Sequence, residues 1–120
     1  MLSRPCGRIF YTVIQELAMG VLSSFLQSTN QNFKYVSLSM MSKIVAKNSL
    51  LVQRYRNDIF CCINDSNKTI AKRSVELIFH TITSNNVVDS IERLTQHLFV
   101  CHTSLKDYIS NNIIRSIEKF

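Results

Sequence analysis

The chain has 120 residues, 46% of them hydrophobic and 18% charged, with a formal net charge of +6. That balance excludes a disordered segment, and the length suffices for one domain that buries about two thirds of its unfolded surface. Two glycines and one proline are too few for the turns of a β-sandwich or barrel, so long uninterrupted helices are the first expectation.

Taken in chain order, the apolar spacing predicts about six helices. In the first, over 9–26, Ile9, Phe10, Val13, Ile14, Leu17, Ala18, Val21, Leu22, Phe25 and Leu26 recur at intervals of three and four. Such a stripe marks a helix packed into a core. Arg4 and Arg8 ahead of it give the segment a superficial likeness to a signal or transit peptide. Gln15 and Glu16 interrupt the apolar run, however, which argues against both a secretory core and a membrane span.

A polar joint at 28–32 leads to a second helix over about 32–46, with Phe33, Val36, Met40, Met41, Ile44 and Val45 on its apolar side. The third spans about 50–63 and turns Leu51, Val52, Tyr55, Ile59, Phe60 and Ile63 inward. The run Asn64-Asp65-Ser66-Asn67 closes it with turn and cap formers. A fourth helix over 69–83 carries Ile70, Ser74, Leu77, Ile78, Thr81 and Ile82. The fifth, over 87–100, presents Val88, Ile91, Leu94 and Leu98, with Cys101 just beyond. The last, over 104–120, presents Leu105, Ile109, Ile113, Ile117 and Phe120. Joints this short make successive helices antiparallel.

An internal repeat turns the set of helices into an array. Residues 33–41 align with residues 70–78 at an offset of 37, with apolar matches at four places and a serine, Ser37 or Ser74, at the fifth. A small residue there lets paired helices approach closely. Periods near forty with two helices per unit are those of HEAT and armadillo arrays, so the fold class expected is an all-α solenoid of antiparallel helix pairs forming one domain over 1–120.

Chemistry is sparse. His97, Cys101 and His102 form the one metal-like cluster, but zinc sites show close ligand pairs at both ends, and Cys61 or His80 are only distant completions. Cys6, Cys61, Cys62 and Cys101 lack a C-x-x-C or a framework spacing, as in a reduced intracellular protein. Neither Gly7 nor Gly20 belongs to a phosphate-cradling loop, and the acids stand singly. No catalytic residue, metal or cofactor is expected. Seven bases and one acid fall in residues 1–57, against seven of each in 58–120, so the formal excess lies in the first half. Lys72 and Arg73, with Lys68, make a small basic patch at the start of the fourth helix.

From the second helix onward, the series resembles a known family. Asn32-Phe33-Lys34-Tyr35-Val36-Ser37-Leu38, Val52-Gln53-Arg54-Tyr55-Arg56, Ile70-Ala71-Lys72-Arg73-Ser74-Val75-Glu76-Leu77, Asn85-Asn86-Val87 and Ile117-Glu118-Lys119-Phe120 together are similar to the trunk of the large adaptins, most like the gamma members. The likeness runs from Ile9 to Phe120, while the first eight residues match nothing. Large adaptins are subunits of clathrin adaptor complexes, which gather cargo into vesicles at the trans-Golgi network and endosomes.

The resemblance therefore implies a non-enzymatic scaffold, cytoplasmic and peripheral on membranes, whose partners are the other adaptor subunits. It further implies phosphoinositide contact, with Lys34, Lys72 and Arg73 as candidate partner or headgroup contacts. Serine stands at positions 37 and 74 where the family has alanine, and Tyr55 where it has histidine. The segment corresponds to a middle part of the trunk, without the regions that carry small-subunit, cargo, GTPase and clathrin contacts. The alternative is a basic helical module that binds an acidic protein or nucleic acid, although nucleic acid is not the expected partner.

Overall fold

The computed structural model describes the backbone of residues 4–120 and the side chains of residues 11–120. Expectations for the side chains of Arg4, Cys6, Gly7, Arg8, Ile9 and Phe10 lie outside the described residues. Seven helices follow one another and no strand occurs among the described residues: α1 (Arg4–Leu26), α2 (Gln31–Lys47), α3 (Ser49–Gln53), α4 (Arg56–Phe60), α5 (Lys68–His80), α6 (Val87–His97) and α7 (Thr103–Lys119).

They pair as α1 with α2, α4 with α5, and α6 with α7, giving three repeats, with the short α3 packed on α2 and α1 ahead of α4. The second helices stack in the order α2, α5, α7, and α1 packs on α3 and α4 in the other layer. The result is a slab of 52 × 36 × 18 Å, as two helix layers spaced about 10 Å apart would give. Its radius of gyration, 15.4 Å, exceeds the ~14 Å of a spherical domain of this length.

The 37-residue offset extends to the helix starts. Asn30 caps α2, its side chain accepting from the amides of Asn32 and Phe33. Asn67 caps α5 in the same way, through Thr69 and Ile70. The two repeat serines are both fully buried but act differently. The Ser37 hydroxyl donates across the helix pair to the Leu22 carbonyl of α1 at 2.7 Å, so a small residue does bring α1 and α2 together. Ser74 turns back on the Ile70 carbonyl of its own helix.

Several boundaries and faces differ from the expectation. The third predicted helix is two, α3 and α4, because the Tyr55 amide bonds the Val52 carbonyl three residues back and tightens the chain there. No glycine or proline marks the break. The α5 helix ends at His80 instead of 83, where the Asn86 side chain accepts from the Thr83 amide and donates to the Thr81 carbonyl. The α6 helix ends at His97 instead of 100, in tight turns through Val100.

In α2 the core side is Ser37, Leu38, Met41 and Val45, whereas Phe33, Val36 and Met40 are exposed. In α1, Met19, Leu22 and Leu26 are buried, while Val13, Ile14, Leu17 and Val21 are exposed. The reason is position in the stack. Helix α5 has α2 on one side and α7 on the other within its layer and buries six residues, while α1 and α2 each have a described neighbour in their own layer on one side only. Val88, Ile117 and Phe120 are exposed at the opposite edge for the same reason.

Candidate partner-binding surface

Polar ties run between successive repeats and engage three of the second-half acids, Asp58, Asp65 and Asp89. The Asp58 carboxylate accepts from Ser23 of α1 and from Gln27 in the turn just after it. Asp65, in the joint between α4 and α5, receives the Lys34 ammonium at 2.8 Å, a Gln31 amide and the Asn67 backbone amide. Burial pushes the Asp65 carboxyl up, but the Lys34 and Asn67 donors outweigh it and hold the group below the usual carboxylate range. The bond to Asp65 in turn raises Lys34. Asp89 lies 3.7 Å from Arg56, which is largely buried, stacks on Phe60 and bonds Ser90.

Lys34 is thus engaged inside the stack, apart from Lys72 and Arg73. Those two, with Lys68, sit on the first half of α5 in a groove of about 500 Å³, walled by Tyr35 of α2 and by Leu105 and Tyr108 of α7. The Arg73 guanidinium bonds the Tyr35 hydroxyl at 3.3 Å and lies 5.5 Å from its ring centre, which raises Arg73 and lowers Tyr35. Burial, and then Glu76, raises the Tyr108 hydroxyl.

Two smaller depressions continue the groove along α5. One of about 230 Å³ lies toward α2 and one of about 180 Å³ toward α7, and both share Glu76 and His80. The second brings in Arg115 and Lys119 of α7. Among the described residues, Lys68, Lys72, Arg115 and Lys119 form no ion pair. Lys43 and Lys47 of α2 and Lys106 of α7 form none either, so the unpaired bases among the described residues lie along the second helices α2, α5 and α7. The first half, where the formal excess lies, has Lys34 and Arg56 tied to Asp65 and Asp89 and Arg54 near Glu16. Sequence reading found three of these bases as a local cluster; Arg115 and Lys119 join only through the packing of α7 on α5.

The thiols and imidazoles do not form a site. Burial pushes the Cys62 thiol up to about 11, and Cys101 donates to the Leu98 carbonyl of its own turn. His102 faces the Asp65 carbonyl, and among the described residues no three His, Cys, Asp or Glu side chains gather as metal ligands. His97 is buried with neither ring nitrogen hydrogen-bonded, beside Phe60, Ile63 and Arg93.

Burial, then the nearby His102, holds His97 below its ordinary pKa. The unfolded chain therefore takes up this proton first. Stability contributed by neutral His97 is present above about pH 6.5 and declines as pH falls toward the depressed folded value. The thermal midpoint should drop between pH 6.5 and 5.5, and His97→Leu should flatten that slope.

No described helix is long and apolar enough to cross a membrane. A family model described as the adaptin N terminal region matches residues 11–120. The chain is similar to the AP-1 complex subunit gamma-2 of Arabidopsis thaliana, at 34% identity over 107 residues that cover 89% of this chain and 12% of the relative. It is similar at 32% to the AP-1 complex subunit gamma-1 of Saccharomyces cerevisiae, covering 89% of this chain and 13% of that one. The AP-1 complex subunit gamma-like 2 of Homo sapiens is 26% identical, with 89% of this chain and 14% of the relative covered. The chain spans about an eighth of the length of these curated relatives.

Proposed function

The chain belongs to the adaptin N-terminal region family, and on that premise we propose that it is a non-catalytic scaffold segment of a large adaptor-complex subunit in vesicle-mediated protein transport. The observation that carries this reading is the family match, which runs across all three repeats of the stack. Relatives matched over 107 residues of the chain are named as gamma subunits of the AP-1 complex. A stack of this kind works by shape. Its helices hold a fixed surface, and partner subunits bury against it without any chemical step.

The partners in this reading are the medium and small adaptor subunits, and the setting is the cytoplasmic face of trans-Golgi or endosomal membranes. Attachment there would be peripheral, aided by phosphoinositide headgroups. Such attraction sums over exposed bases near the surface, and Lys43, Lys47 and Lys72 are all exposed.

The test is purification of the tagged chain, expressed at its normal level in its own cell, with quantification of medium and small adaptor subunits. Both are expected in the eluate, and their absence overturns the reading. Sedimentation with phosphoinositide-bearing vesicles, compared with neutral ones, tests the membrane contribution separately.

A further inference from the structure

We infer that the basic furrow along α5, between α2 and α7, is a docking site for an extended acidic segment of a partner protein. The charge is directional. Lys68, Lys72 and Arg73 occupy the start of α5, Arg115 and Lys119 flank its end, and Glu76 is the one acid between them. Among the described residues, Lys68, Lys72, Arg115 and Lys119 have no carboxylate partner, so each is free to take one from outside.

Shape selects a chain over a compact anion. The three depressions follow α5, which has 13 residues and is about 20 Å long. An extended peptide rises about 3.3 Å per residue, so about six residues span it. Tyr35, Leu105 and Tyr108 give the largest depression walls against which peptide backbone and apolar side chains can lie. Tyr35 is held in place by Arg73.

A membrane headgroup fits less well. The furrow is recessed between helices, and Glu76 at its middle repels a compact multivalent anion. An extended segment places its carboxylates over the two basic ends and an uncharged or hydroxyl residue over Glu76. The inference rests on the charge and shape of the furrow and not on the adaptor-subunit assembly proposed above.

The test uses the whole 120-residue chain. Binding of a fluorescein-labelled octapeptide of alternating Asp and Glu is followed by anisotropy, with an Asn/Gln octapeptide as its neutral counterpart. The double variant K68E/K72E is compared with K43E/K47E, which changes net charge equally on α2. Two exposed charges lost and replaced by repulsion correspond to about a tenfold loss of affinity at 0.15 M salt. The first variant is expected to show that loss and the second less than threefold, with circular dichroism unchanged in both. Equal effects of the two variants, or no binding of the acidic octapeptide, would overturn the inference. So would vesicle binding that depends on Lys68 and Lys72 while octapeptide binding does not, which would assign these bases to a membrane.

Discussion

Truncating Leu38 to alanine is expected to cost about 3 kcal/mol of folding stability, whereas Met40→Ala, two positions along the same helix, stays within about 0.5 kcal/mol. Leu38 is fully buried in the core between helices, while Met40 is 48% exposed on the edge of the stack. Removing three buried carbons from a packed site forfeits both their transfer from water and their contacts, and a cavity remains because the neighbouring helices relax only in part. For a domain with about 5–15 kcal/mol in total, the Leu38 loss is a large share. Urea denaturation of the two variants beside the parent chain measures it. A Met40 variant as damaged as the Leu38 variant would mean that α2 presents the other side to the core.

The second large effect is expected at Asp65. Its side chain is 7% exposed and Lys34 is 20% exposed, and together with Gln31 and Asn67 they join α2 to the start of α5. Asp65→Ala leaves the Lys34 ammonium poorly solvated and the Asn67 amide without its acceptor. A hydrogen bond to a charged group is worth about 1.5–3 kcal/mol, and a stranded partner adds to the loss. With Lys34 still partly in water, the net cost should be about 2–3 kcal/mol. Asp65→Asn, which keeps an acceptor for Asn67 but loses the charge, should fall between the two. Because the folded carboxyl is held below its usual range, this stabilisation is present above about pH 4 and disappears on acidification. A thermal midpoint of Asp65→Ala equal to that of the parent at pH 7 would show that the tie contributes nothing.

These two positions also show what the sequence made legible. The all-α class, the helix pairs and the repeat could be read from scarce breakers, short joints and the 37-residue offset. The exposed side of α2 could not. Seven apolar residues crowd its interior, and counting them selects Val36 and Met40, whereas the buried side runs through Ser37, a polar residue satisfied by the Leu22 carbonyl. Similarly, Val13, Ile14, Leu17 and Val21 continue a valid apolar stripe on α1, but burial depends on whether a neighbour is present, which periodicity does not encode.

The furrow was half legible. Lys68, Lys72 and Arg73 are neighbours in sequence, but formal charge pointed to the first half of the chain, because a count of bases and acids ignores pairing. Only the fold ties Lys34 to Asp65 and Arg56 to Asp89, and brings Arg115 and Lys119 beside α5.

The polar ties between repeats carry one more consequence. They join residues between 28 and 38 positions apart, whether at Gln53 and Thr81, Gln27 and Asp58, Asn48 and Gln15, Arg93 and Asn57, or Arg73 and Tyr35. Closing a flexible loop costs entropy that rises only with the logarithm of its length, and here each loop is nearly the same length. A chain built this way meets the same closure cost at each added repeat, however many precede it. Its contact order relative to length falls as it grows, so each added repeat finds its place through contacts as local as those of the first.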